Sequence, residues 1–287
     1  MSEVAAADAT PPDIGRGIGF LGGGHMGRAL VAALRRAGVD PQHIIVFETQ
    51  AAARESLQHE FGVRVAADAS VHIASLDILV LAVKPQDMAA ALRPLQGALA
   101  QHRPLVISVA AGLGTAQLMA LCGGQVPLVR AMPNRPALLG AGATGAYADR
   151  ALEPMQRRRA EAALATAGCV VWVEDESLMD VVTAVSGSGP AYFFRMTEAL
   201  AAAGVEQGLP PAAANELAVA TLHGAGLMAT RGADLAALRE SVTSKGGTTA
   251  AALAEFTAQG FEQTVSTAVT AAVSRGRQMA AQYGTGS

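Results

Sequence analysis

Residues 17–30 read GIGFLGGGHMGRAL, and the fold turns on how this stretch is read. Gly17–Leu21 is short and apolar, as a strand buried on both faces is. It runs directly into Gly22-Gly23-Gly24-His25-Met26-Gly27, and a helical stretch follows from Met26 to Ala37, stopped by Gly38. The spacing Gly22-x-Gly24-x-x-Gly27 has a mechanical reason. The first glycine permits a tight turn, the second lets backbone approach a pyrophosphate, and the third allows close helix–strand packing. The helix N-terminus then favours the phosphate charge. In a chain with 31 glycines such a turn alone is weak. Between a first strand and a first helix it reads as a dinucleotide-binding turn.

Outward from that turn, strands and helices alternate. Ile44–Phe47 is a second strand and 50–61 a helix. Asp77–Val83 (DILVLAV) is a nearly continuous apolar run, followed by strands at 105–109 and 127–132 with a helix at 115–121 between them. Residues 142–148 and 170–173 add two strands around a charged helix at 152–166. The pattern implies an α/β fold of Rossmann type, a doubly wound and mostly parallel sheet with helices on both faces. After Trp172 strand signals stop. Residues 176–186, 190–207, 211–229, 234–242, 248–258 and 261–283 read as helix, with Gly and Pro at the breaks. The expected organisation is a tail over 1–14, a dinucleotide-binding domain over 15–175 and an all-α domain over 176–287, to which the resemblance given below assigns the substrate and the dimer contact.

Composition excludes several classes. The 287 residues carry 21 Lys and Arg against 24 Asp and Glu, a net charge of −3. A nucleic-acid binder that works by neutralising phosphates needs a basic excess this chain lacks. Hydrophobic residues make up 51% and charged residues 16%, which is incompatible with a disordered chain. Cys122 and Cys169 cannot make a disulfide framework or a four-ligand zinc site, and the six histidines are scattered, so no metal is expected. The N-terminus has no signal-peptide pattern and no run of about 18 apolar residues occurs, so no membrane is expected and the expected compartment is the cytoplasm.

Glu48 ends the second strand, where an acid can accept bonds from the adenosine ribose hydroxyls and repel a 2′-phosphate. It can also be a solvated strand-end acid, and Thr49 and Arg54 nearby could hold a phosphate. Val83-Lys84-Pro85-Gln86 and Ser108-Val109-Ala110-Ala111-Gly112 lie at the ends of the strands read at 77–83 and 105–109, at the edge where cofactors lie. Ser186-Gly187-Ser188-Gly189-Pro190 precedes a helix that Ser188 could cap. Thr243-Ser244-Lys245-Gly246-Gly247-Thr248-Thr249 opens another helix, whose N-terminus could hold a carboxylate or be no more than a well-capped start.

Taken together, these stretches resemble the pyrroline-5-carboxylate reductases. The resemblance is carried by GFLGGGHMGRAL (19–30), LAVKPQ (81–86), ISVAAGL (107–113), RAMPNRPALLGAGATG (130–145), AVSGSGPAYFF (184–194) and VTSKGGTTAAAL (242–253). It covers the chain from Gly17 onward, and its last two motifs are specific to the family. It implies reduction of 1-pyrroline-5-carboxylate to L-proline, the last step of proline biosynthesis, by hydride from NADPH or NADH. It also implies a homodimer that often assembles further. By match to the family's motifs, Leu21, Gly22, Gly23, Gly24, His25, Met26 and Gly27 would line the cofactor. So would Glu48, Thr49, Ala82, Val83, Lys84, Pro85, Val109, Ala110 and Ala111. Glu176, Ser241, Gly246, Gly247, Thr248 and Thr249 fall at substrate positions, and Thr249 is the candidate catalytic residue. Three departures stand out: Lys245 for a common Pro, Ser241 for a frequent Asn, and Glu48 for a small polar residue. The first two bear on the substrate loop and the third on cofactor choice.

The chemistry suits these residues. An imine accepts hydride far better once its nitrogen is protonated, so the need is for positioning and a proton rather than a nucleophile or metal. Two other readings compete. The β-hydroxyacid dehydrogenases share the architecture but carry a lysine on the helix after a glycine-rich turn, where Pro190–Leu200 here has Arg195 and no lysine. A dinucleotide-binding regulatory protein could keep the fold without the chemistry.

Overall fold

The computed structural model describes residues 11–149, 152–232 and 234–284. The chain divides into two compact units, 188–271 and the remainder, the latter including the end of the last helix from Ala272.

In the α/β unit eight strands form one sheet in the order β3-β2-β1-β4-β5-β6-β7-β8. They are β1 (Ile18–Leu21), β2 (Ile44–Phe47), β3 (Arg64–Ala66), β4 (Ile78–Leu81), β5 (Leu105–Ser108), β6 (Leu128–Met132), β7 (Gly142–Tyr147) and β8 (Gly168–Trp172). Every neighbouring pair is parallel except β6–β7. Ile18 of β1 sits opposite both Ile44 of β2 and Ile78 of β4, so the central strands are paired on both edges. This is why their sequences are apolar without alternation: both faces are covered. On one face Phe20, Val80 and Ile107 pack with Leu30 and Leu34 of α1 (His25–Arg36), Leu57 of α2 (Ala51–Phe61) and Leu164 of α6 (Pro154–Ala165). On the other, Leu79, Leu81 and Val106 pack with Met88 and Leu92 of α3 (Met88–Leu92), Leu99 of α4 (Gln96–His102) and Leu118 of α5 (Thr115–Leu121).

The sequence pattern did not mark β3, α3 or α4. β3 is three half-exposed residues at the sheet edge, and the two helices are short turns joined through Pro94. Residues 1–10 of the expected tail lie outside the described residues, whereas Ile14 is buried in the core. The helix expected over 176–186 is α7 (Leu178–Val182) continued by a π-helical turn, Thr183–Gly187.

The helical unit contains α8 (Gly189–Glu206), α9 (Pro211–Ala229), α10 (Leu235–Ser241), α11 (Thr248–Ala258) and the first part of α12 (Phe261–Gly284). No helix among the described residues is long and apolar enough to cross a membrane.

Candidate active site

The sequence-predicted cofactor residues of the α/β unit gather at the C-terminal ends of β1, β2, β4 and β5. Gly22 leaves β1 with φ +104°, and a Cβ there would stand 2.9 Å from the Ala82 carbonyl oxygen. A Cβ on Gly27 would come within 2.5 Å of the Gly22 carbonyl, so this glycine lets α1 close onto the turn. Gly24 differs: a Cβ there would meet no protein atom, so the room it leaves faces outward. Gly24 is the N-cap of α1 and no side chain caps that helix, which leaves first-turn amides pointing at the open side. No acid occupies the first turn. The donor set and the missing side chain suit an anionic diphosphate.

Beside the turn is a cleft of about 250 Å³, lined among others by Gly22, Phe47, Glu48, Thr49, Asp68 and Val83. Glu48 is half-buried there. Its Oε2 accepts from the Gly23 amide at 3.2 Å, and Oε1 accepts from the Gln50 amide at 3.2 Å and the Thr49 hydroxyl at 3.4 Å. Arg54, a possible phosphate holder by sequence, donates Nη1 to the carbonyls of Glu48 and Thr49, both at 2.8 Å. Lys84 is exposed and opens a short turn at Pro85–Asp87. Val109 and Ala110 leave β5, the Val109 amide donating to the Leu81 carbonyl at 3.1 Å. A larger cavity, about 390 Å³, lies at the opposite ends of the strands, between Arg103 and Pro127, away from the glycine turn.

Glu176 is also in the α/β unit, where its carboxylate is held from three directions. Oε1 accepts from the Thr115 amide at 2.7 Å and from Nη1 of Arg130 at 3.0 Å, and Oε2 accepts from the Thr115 hydroxyl at 2.7 Å. It thereby serves the N-terminus of α5, which has no cap from Gly114. The Cys122 thiol is pushed up to about 11 by burial and is no nucleophile at neutral pH. No group of His, Cys, Asp and Glu among the described residues is arranged to hold a metal ion.

The other predicted substrate residues lie in the helical unit. Ser241 closes α10 and donates its hydroxyl to the Leu238 carbonyl at 2.7 Å. Gly246 has φ +73°, and the Gly247 amide donates to the Ser244 carbonyl at 3.0 Å, so the loop turns sharply into α11. Gly247 caps α11 without a side-chain bond. The hydroxyls of Thr248 and Thr249 have no hydrogen-bond partner among the described residues, whereas Thr257 of the same helix bonds back to Leu253. Ser188 stands at the N-cap of α8 but makes no capping bond.

Two family models match the chain: pyrroline-5-carboxylate reductase dimerisation over residues 176–279, and NADP oxidoreductase coenzyme F420-dependent over 17–112. The pyrroline-5-carboxylate reductase of Pseudomonas aeruginosa is 41% identical over 93% of this chain and 98% of its own. A solved pyrroline-5-carboxylate reductase from Coxiella burnetii superposes with TM-score 0.89 at 35% identity, covering 92% of this chain and 98% of its own. A Plasmodium falciparum pyrroline carboxylate reductase solved with NADP bound gives 0.78 at 26% identity, covering 93% and 99%. The chain belongs to the pyrroline-5-carboxylate reductase family.

Among the described residues of this reductase are buried polar side chains that sequence reasoning missed, including Arg130, Thr115 and Asn134. Arg130 sits in the middle of β6, Thr115 starts α5, and Asn134 follows β6. Asn134 donates Nδ2 to the Ser186 carbonyl at 2.9 Å and accepts from the Ala143 amide at 2.9 Å. It thereby satisfies a carbonyl of the π-helical turn Thr183–Gly187. A signal for Arg130 was present, because a guanidinium within the apolar run PLVRAM must find a partner if that run is a buried strand.

Proposed function

We propose that this reductase converts 1-pyrroline-5-carboxylate to L-proline, the last step of proline biosynthesis, as a cytoplasmic homodimer. The observation that carries the reading is the 41% identity to a named pyrroline-5-carboxylate reductase over nearly the full length of both chains. When bound, the reduced nicotinamide supplies the hydride. The glycine turn Gly22–Gly27 and the uncapped start of α1 would hold its diphosphate, and the segments Ala82–Pro85 and Val109–Ala111 would flank the rest. Gly246–Thr249 takes the substrate's carboxylate on backbone amides. The Thr249 hydroxyl bonds the ring nitrogen, orients the C=N carbon and relays a proton from water. An uncapped helix start and a hydroxyl without a partner among the described residues support that assignment.

For the cofactor we favour NADH, used at least as well as NADPH. The half-buried Glu48 carboxylate stands on the cleft wall, while Arg54 turns Nη1 to backbone carbonyls. NADPH is the second reading, favoured by the NADP-bound relative. The deciding experiment is turnover of 1-pyrroline-5-carboxylate with each reduced cofactor, with proline identified as product. Oxidation of a β-hydroxyacid with no turnover of the imine would overturn the proposal, as would cofactor binding without turnover of either.

A further inference from the structure

The cleft beside the glycine turn is lined by two acids and, among the described residues, by no Lys, Arg or His. Glu48 is the first acid. The second is Asp68, which follows β3 and which no sequence motif singled out. β3 runs beside β2 with Ala66 opposite Phe47, and the Glu48 amide donates to the Ala66 carbonyl at 3.0 Å. The two acids therefore leave adjacent strand ends and line one cleft. Asp68 is also fixed in place. Its Oδ1 accepts from the Ser70 amide at 2.8 Å and its Oδ2 from the Ser70 hydroxyl at 2.9 Å. These two bonds hold its carboxyl below the ordinary carboxylate value, so it is ionised at neutral pH. The turn asks only for an acceptor, which Asn or Ser would supply as well. Local structure thus accounts for the side-chain oxygens and not for the charge. Cations on the neighbouring helices are engaged elsewhere: Arg54 turns Nη1 to the carbonyls of Glu48 and Thr49, and Arg28 pairs with Glu60.

We propose that Asp68 is a specificity-determining residue for the cofactor, a second fixed charge that sets this cleft against a 2′-phosphate. The inference rests on the proposed reading of the cleft as the seat of the adenosine ribose. The two acids then do different work. Glu48 accepts bonds from the ribose hydroxyls and repels a phosphate, whereas Asp68, with both oxygens turned to Ser70, acts through its charge alone. A phosphate monoester carries about −1.5 to −2 charges at neutral pH. Two carboxylates repel it together, and no cation lines the cleft to offset them. A ribose with a free 2′-hydroxyl is neutral there and feels little of Asp68. The diphosphate is common to NADH and NADPH, so any repulsion of it cancels when the two are compared.

The test reads binding rather than turnover. Kd values for NADH and NADPH are measured on the full-length protein without imine, by nicotinamide fluorescence, and for 5′-AMP and 2′,5′-ADP by competition. Asp68→Asn keeps an acceptor for the Ser70 amide and removes the charge. It should tighten NADPH and 2′,5′-ADP by about fivefold and move NADH and 5′-AMP by no more than about twofold. Asp68→Ser should do the same, and it decides the matter if Asp68→Asn does not fold. Asp68→Glu keeps the charge and should gain nothing. Because the effect is one of charge, added salt should shrink the difference between wild type and Asp68→Asn. The proposal is wrong if the neutral variants leave NADPH binding unchanged, if they tighten both cofactors alike, or if their gain survives high salt. Glu48→Gln separates this claim from the reading beneath it. A shift toward NADPH in Glu48→Gln but not in Asp68→Asn defeats the role of Asp68 alone. No shift in either variant removes the ribose from this cleft, and both readings fall.

Discussion

The two units are built from similarly apolar sequence, yet one covers its own surface and the other does not. In the α/β unit the residues of the central strands β1, β2, β4, β5 and β6 up to Ala131, and the inner faces of α1, α3, α4, α5 and α6, are buried almost completely. Within the described residues of 188–271, the only apolar side chains that are buried are Ala214 and Ala218. Phe193 is 63% exposed, Leu217 57% and Leu235 68%. A sheet with helices on both faces completes a core within one chain, whereas a few Ala-rich helices leave apolar surface that needs a cover. This segment falls within the match to the dimerisation model, and the cover we propose for it is a second copy.

The contrast is broken most directly by placing the same charge on each unit. Leu139, 84% exposed in the α/β unit, should tolerate Asp with an effect within about 0.5 kcal/mol. Leu217→Asp in α9 should dissociate the dimer. A large apolar side chain contributes about 1.5–3 kcal/mol when buried, and a symmetric interface counts it twice. The expected loss is about 3–6 kcal/mol, roughly two to four decades in the dimer Kd, read by sedimentation or light scattering. A Leu217→Asp protein that stays dimeric at micromolar concentration would move the interface elsewhere.

The next effect separates the units by function. Thr249→Val removes a hydroxyl from the helical unit and should lower kcat/KM for the imine about tenfold, while cofactor affinity, set in the α/β unit, barely changes. If Thr249 only caps α11, the melting temperature falls and activity per folded molecule is kept. Kinetics and melting measured on one preparation distinguish these outcomes.

How much of this the sequence disclosed differs between the units for the same physical reason. β2 at Ile44–Phe47 and α5 at Thr115–Leu121 were legible to the residue, because apolar runs bounded by Gly or polar residues leave little choice. The turn after β1 was legible because its backbone geometry needs Gly22 and Gly27. β3 escaped because Arg64–Ala66 is too short and exposed to show a period, and the antiparallel β6–β7 pairing is set by topology rather than residue type. The Thr115–Arg130–Glu176 contact joins residues distant in the chain, which no local pattern encodes. In the helical unit the helices were visible from Gly and Pro breaks, but the proposed dimer rests only on resemblance and unspent apolar surface.

A third measurement sharpens the reading of the α/β unit at its nucleotide cleft. Glu48→Ser removes the charge on the cleft wall and should shift the kcat/KM ratio toward NADPH by about tenfold, or ~1.4 kcal/mol. Because Glu48 also accepts from the Gly23 amide, the variant should lose some affinity for NADH as well. A wild-type enzyme that prefers NADPH tenfold would refute the assignment before any variant is made.

The smallest effect concerns stability of the α/β unit alone. Asp77, just ahead of β4, accepts the Arg16 amide at 2.8 Å and its guanidinium at 2.9 Å, and pairs with Arg159 at 3.2 Å. Burial pushes its carboxyl up, but the bonds from Arg16 and the charge of Arg159 outweigh this and hold it below the ordinary value. A carboxylate depressed by folding contributes fully above its unfolded value, roughly 3.9, and that contribution is lost as pH falls through it toward the folded value. Arg16 is 67% exposed, so solvent screens its share, and the gain is nearer about 1 kcal/mol than the 3 kcal/mol of a buried charged bond. Asp77→Asn should therefore lower the melting temperature at neutral pH by about 2–4 °C, and the gap from wild type should narrow as the pH is taken below about 4. Dimer affinity should not change, since the network lies wholly within the α/β unit. A gap that persists at acid pH would mean that geometry rather than charge makes the contribution, and a weakened dimer would mean that the two units are less separate in their energetics than their burial implies.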